Sequence, residues 1–263
     1  MSKENNLNEE QDTHSDTLDG NLCTDINLSG SHILNSKIVS IGLLIFSTIS
    51  IFVIAEVIRF YLNAYELNSM FISFCAGFIL FVPLVSLVLH PLMLSMFGEK
   101  LKRSSIWANV GLVVVVQMLF FLIWMTDAIA VYSIYVDQTS FLAKALNITS
   151  ENRADLSGEY YWANLLLAWI FAYLSLVIGV LPCLIARINP QGIVGNVVSA
   201  FSYMKPRKLF FLVLSLAISM SVVLPLLYIP YGFLITFPVI FACCFIYLAQ
   251  RYATDLKLAN QNG

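Results

Sequence analysis

Six long apolar blocks, at 38–62, 70–97, 106–136, 160–187, 209–227 and 231–250, constrain this chain more than any other feature. About 20 mostly apolar residues are needed to cross roughly 30 Å of hydrocarbon as a helix. Lipid offers the backbone no hydrogen-bond partner, so each block must satisfy its own amides and carbonyls as a helix. The blocks are too long for barrel strands and do not alternate in polarity. The expectation is an all-α polytopic membrane protein, a six-helix transmembrane bundle with a disordered N-terminal tail. Composition agrees. Hydrophobic residues make up 59% of the chain and charged residues 11%, with a mean hydropathy of +0.81, whereas a soluble domain is about 25% charged. No segment between the blocks is long enough to bury a core of its own. The chain divides into a tail at 1–36, a membrane domain at 37–251 and a short C-terminal tail at 252–263.

The loops alternate in charge. Lys37, then Lys100, Lys102 and Arg103, then Arg187, Lys205, Arg207 and Lys208, then Arg251 and Lys257 fall on one side. Lys144 and Arg153 fall on the other, diluted by Asp137, Glu151, Asp155 and Glu159. Basic loops stay in the cytoplasm, so both termini are expected inside.

The tail carries Glu4, Glu9, Glu10, Asp12, Asp16, Asp19 and Asp25 against Lys3. A polar, acidic stretch nearly free of aromatics cannot offset its ordering entropy, so it is expected to be disordered and solvated. It lacks the basic start and apolar core of a signal peptide.

The connector at 187–208 is the most informative loop. Within 192–204, Ile193, Val197, Val198, Phe201 and Met204 recur at helical spacing, with Gln191, Asn196 and Ser199 between them and Pro190 and Pro206 as boundaries. That pattern suits an amphipathic helix on the inner surface; the alternative is an extension of the fifth span. Val197, Phe201, Lys205, Arg207 and Lys208 form a candidate surface for a protein partner at the cytoplasmic face. On the other side, Phe141, Leu142, Ala145 and Leu146 suggest a short interfacial helix, and Asn147-Ile148-Thr149 matches a glycosylation tripeptide. Pro83, Pro91, Pro182, Pro225 and Pro238 lie inside spans, where each removes a donor and tends to kink its helix.

Charge inside hydrocarbon is costly, so each ionisable residue in a span is a candidate site. Glu56 and Arg59 lie three apart on one helix face, and Asp127 lies at similar depth on the third helix, so an outer-leaflet cluster of Glu56, Arg59 and Asp127 is geometrically feasible. Its functional reading is a vestibule for a charged solute or a proton; its structural reading is an interfacial ion pair reaching for water. His90 reads as a lone interfacial histidine near the inner boundary. No histidines or carboxylates recur at ligand spacing, so no metal or cofactor is expected. Cys23, Cys75, Cys183, Cys243 and Cys244 form no CxxC pair and read as small apolar filler. Ala163, Ala168, Ala172 and Gly179 would let another helix approach the fourth closely. Nothing resembles a basic, aromatic surface for nucleic acid.

Three segments carry a family resemblance: PLVSLVLHPLMLSMFGEKLKRSSIWANVGL, NVVSAFSYMKPRKLFFLVLSLAI and PVIFACCFIYLAQRYATDL. They give a proline-bearing helix with a basic turn, a basic entry to the fifth helix, and a closing proline helix ending in aromatic, basic and acidic residues. In this order they resemble bacterial six-helix inner-membrane proteins related to the membrane domain of glycerophosphodiester phosphodiesterases. The resemblance implies a six-helix bundle in a bacterial inner membrane and transfers no catalytic residue. Nucleophile, base and metal ligands do not gather at one depth. The expected role is therefore a non-enzymatic scaffold or accessory subunit of a membrane assembly; the alternative is the permease subunit of an exporter with a separate ATPase.

Overall fold

The computed structural model describes residues 16–65, 67–97, 106–135, 157–189 and 191–261. Among them there is no strand. Six helical stretches are long and apolar enough to cross a membrane: Lys37–Ala64, Asn68–Pro91, Ala108–Ser133, Gly158–Ile188, Ile193–Tyr228 and Pro230–Leu258. Each overlaps one of the apolar blocks. The chain is a multi-pass helical membrane protein.

Helix α1 (Asp16–Ala64) carries the first span and reaches back into the acidic stretch. Extending a formed helix needs no new nucleus, so a span can propagate into residues that would not start a helix alone. Residues 1–15, 98–105 and 136–156, the last carrying the suggested short helix and Asn147-Ile148-Thr149, lie outside the described residues.

The second span is interrupted: α2 (Phe71–Phe78), a 3-10 turn at Ile79–Phe81, and α3 (Val82–Phe97). The third is α4 (Ile106–Tyr135). The fourth is also interrupted: α5 (Ser157–Leu174), a π turn at Ser175–Val180, and α6 (Leu181–Ile188). The fifth joins α7 (Ile193–Met204) to α8 (Lys208–Tyr228) through one 3-10 turn, and the sixth is α9 (Pro230–Gln261).

Two of the five span prolines mark these interruptions. Pro83 cannot donate to the carbonyl of Ile79, and the backbone answers with the 3-10 bond from Val82 N–H to that carbonyl. Pro182 cannot donate to Ile178, and the π turn lies at that position. By contrast, α3, α8 and α9 run as continuous helices through Pro91, Pro225 and Pro238.

The second span is the centre of the bundle. In its most apolar window 72% of residues are buried, against 22% in the first and third spans. α2 packs on α5, α8 and α4, α1 lies along α3 and α9, and α8 lies between α9 and α5. Gly179 permits the closest approach: a Cβ there would lie 2.3 Å from the Pro83 ring. Ala168 and Ala172 are buried with it, but Ala163, five residues from Ala168 and therefore on another face, is exposed.

On α9, Phe233, Phe237, Phe241 and Phe245 recur every fourth residue and all are buried. That spacing stacks their rings in one column, with centroids 5.1, 5.4 and 6.3 Å apart. Cys75 and Cys183 are buried filler as expected, whereas Cys243 is exposed on the outside of α9.

Candidate functional site

At the basic end of the bundle, α7, α8 and α9 meet around Tyr203. Its ring packs edge-on against Tyr252 at 5.1 Å and Phe211 at 6.3 Å. Its hydroxyl donates to Asp255 Oδ2 at 2.8 Å. The same oxygen takes an ion pair from Arg207 Nη2 at 3.0 Å. The Arg207 guanidinium lies 4.2 Å from the Tyr203 ring centroid, and its Nη1 donates to the Tyr203 carbonyl at 3.2 Å. Arg207 thus satisfies a carbonyl in the last turn of α7, where helical donors run out, while tying that turn to α9. Alongside, Arg251 lies 4.9 Å from the Phe210 ring, and Phe210 packs on Tyr247 at 5.7 Å.

This junction divides the partner surface expected from sequence. Arg207 is committed to Tyr203 and Asp255, and Val197 is partly buried. Phe201, Lys205 and Lys208 are exposed, beside exposed Val194, Val198 and Leu209. α7 is a helix over Ile193–Met204, as its pattern suggested. Its buried face is Asn196 and Ala200 against α6 and the π turn, and its apolar side chains face outward. Outward apolar residues suit lipid, and α7 runs on into α8 as one apolar helical stretch, Ile193–Tyr228. Its entry turn depends on Gly192, whose φ of 82° and ψ of 169° suit glycine; there Gln191 N–H donates to Asn196 Oδ1 at 3.0 Å.

Tyr203 and Asp255 escaped the sequence reading. The 251–255 spacing favours an Arg251–Asp255 pair on α9, but α8 brings Arg207 to Asp255 instead.

The outer cluster forms only in part. Glu56 and Arg59 pair at 3.1 Å, an ion pair by distance that is not aligned as a hydrogen bond. Arg59 also donates to the Leu226 carbonyl and lies 4.4 Å from the Phe71 ring centroid. Asp127 does not join them. It is exposed on α4 and forms no ion pair among the described residues, because the rotation of α4 that buries Met125 and Ala128 turns Asp127 outward. A vestibule built from all three residues is therefore absent from this arrangement.

His90 lies at the end of its span but inside the bundle rather than on its surface. It is 1% exposed and stacked 5.4 Å from Phe245, which extends the phenylalanine column by one ring. A further polar group, unsuspected from sequence, lies at the start of the second span, at the end away from the basic loops, where Ser73 donates to Asn164 Oδ1 at 2.8 Å and meets the Tyr160 hydroxyl. Ser73, Asn164 and Tyr160 thereby satisfy one another, as most buried polar groups do. Among the described residues, no three His, Cys, Asp or Glu side chains gather to hold a metal.

No family model matches the chain, and no curated protein and no solved structure is found similar to it.

Proposed function

We propose that this chain is a multi-pass protein of a bacterial inner membrane, with both termini in the cytoplasm, acting as a scaffold or accessory subunit that binds another membrane component. The observation that carries this reading is the division of labour at the basic end. Arg207, Asp255 and Tyr203 hold α7, α8 and α9 together, while Phe201, Lys205 and Lys208 project outward from that braced junction. A preorganised surface loses little side-chain entropy when a partner docks, and its two lysines favour an acidic partner face.

The alternative, a permease subunit working with a separate ATPase, draws support from a different observation. The two non-α turns face each other within the bundle, where Ser175 Oγ donates to the Ile79 carbonyl at 3.3 Å and Gly179 abuts Pro83. Interrupted helices of this kind occur at transport sites.

One experiment separates these readings. The tagged chain is purified from its native membrane in mild detergent, as wild type and as Lys205→Glu with Lys208→Glu, and co-purifying proteins are quantified by mass spectrometry. A stoichiometric non-ATPase partner lost in the variant supports the scaffold. An ATPase lost in the variant supports the permease. A partner set that the variant leaves unchanged refutes this docking surface.

A further inference from the structure

Three spans touch at mid-depth in the bundle. Gln117 lies nine residues beyond Ala108 at the basic end of its span, Gly179 nine before Ile188, and Pro83 eight before Pro91. At 1.5 Å per residue each is roughly 12–14 Å into a hydrocarbon core of roughly 30 Å. A Cβ on Gly179 would lie 2.3 Å from the Pro83 ring and 3.5 Å from Gln117 Nε2. Glycine thus lets the amide on α4 reach the backbone of the π turn.

That turn is short of donors. At its end Leu181 N–H donates to the Leu176 carbonyl. The Val177 carbonyl thereby loses its α-helical donor, and the π-helical donor, one residue further on, would be Pro182, which has no N–H. Pro182 is also the missing α-helical donor of the Ile178 carbonyl. The carbonyl carbon of Ile178 is bonded to the Gly179 nitrogen, so both acceptors belong to the stretch of backbone that Gln117 abuts.

Gln117 is 3% exposed, and its Oε1 is buried with no hydrogen-bond partner among the described residues. The hydroxyls nearby are committed elsewhere: Ser175 donates to the Ile79 carbonyl at 3.3 Å and Ser86 to the Pro83 carbonyl at 2.6 Å. The three spans carry no Asp, Glu, Lys or Arg at 68–91, 108–126 or 160–186. What meets at this depth is therefore a set of neutral oxygen acceptors that lack donors, and burial in lipid makes such groups costly.

We propose that the π turn and Gln117 form a binding site for a monovalent metal cation, held by Gln117 Oε1 and the carbonyls of Val177 and Ile178. Carbonyl oxygens replace the hydration shell of such an ion, and interrupted helices supply them inside membranes. A divalent cation would call for carboxylates, which these segments lack. The ion joins α4 to the fourth span whether or not a partner docks at the basic end.

The test uses the full-length protein in neutral detergent, with unfolding followed by tryptophan fluorescence. Sodium, potassium and N-methylglucamine chlorides are titrated at constant ionic strength, the last cation being too bulky to enter. Gln117→Leu removes the amide at similar volume and is expected to fold. Pro182→Ala returns a backbone N–H to the turn. Asp127→Asn removes an exposed carboxylate and controls for weak binding at the surface. Saturable stabilisation by sodium or potassium beyond that of N-methylglucamine supports the proposal if Gln117→Leu weakens the apparent affinity about tenfold or more, Pro182→Ala weakens it too, and Asp127→Asn leaves it unchanged. Should Pro182→Ala fail to fold, the contrast between Gln117→Leu and Asp127→Asn decides. Equal responses to all three salts, wild-type affinity in Gln117→Leu or in folded Pro182→Ala, or a response lost in Asp127→Asn would overturn the proposal and leave water as the partner of these oxygens.

Discussion

Arg59 on α1 donates to the carbonyl of Leu226 on α8, the carbonyl whose helical donor would be residue 230, a proline. Ser175 and Ile79 repeat the relationship, since the carbonyl that Pro83 cannot serve accepts the hydroxyl of Ser175 from the fourth span. In lipid no water can serve such a carbonyl, so a side chain from a neighbouring helix serves Leu226, and one adds to the 3-10 bond at Ile79. At these two carbonyls the gap left by a proline becomes a tie between helices.

Arg59→Leu is expected to lower stability by about 1–3 kcal/mol, because it leaves the Leu226 carbonyl unserved and Glu56 without its cation. Asp127→Asn is expected to leave stability unchanged within about 0.5 kcal/mol. Unfolding in detergent, followed by tryptophan fluorescence, compares the two; equal losses would mean that Asp127 belongs to the cluster after all.

Gly179→Val drives a side chain into the Pro83 ring and is expected to cost at least about 1–3 kcal/mol. Adding Pro83→Ala opens the space and is expected to recover part of that loss. Failure of the second change to rescue the first would show that the cost arises elsewhere.

Tyr203→Phe and Asp255→Asn each remove one side of a bond to a partly buried carboxylate, at about 1 kcal/mol each. A double-mutant cycle is expected to give a coupling of about 0.5–1 kcal/mol. Strict additivity would argue that the two residues do not meet in the membrane.

Gly192→Ala forces an L-residue into a backbone conformation that favours glycine, at a cost of about 1–3 kcal/mol. Gly42 and Gly111, whose Cβ positions are open, are the controls. Their alanine variants are expected to match or slightly exceed wild-type stability, since alanine is the better helix former. If Gly192→Ala is equally neutral, the entry turn to α7 is more adaptable than its geometry implies.

A tag appended at Gly263 is expected to be protected from protease in sealed right-side-out vesicles, following the lysines and arginines of the even-numbered connectors. Digestion from outside would invert every assignment of sidedness made from the basic loops.

Length and hydropathy alone determined six crossings, because the need for about 20 apolar residues is a property of each segment taken singly. Other features depended on how the helices turn toward one another. An amphipathic helix in water announces its buried face by polarity, but in lipid both faces are apolar and that signal is muted. For this reason Asp127 could be expected beside Arg59 yet faces outward, and His90 and Asn196 could be expected at a surface yet are buried. The same rotations decided which prolines break their helices and which side chains serve the carbonyls left behind. Asp255 pairs across the bundle with Arg207 rather than along α9 with Arg251, because only packing brings residues distant in sequence to bonding distance. The local chemistry of the chain placed its helices in the membrane; their mutual packing decided which polar groups meet.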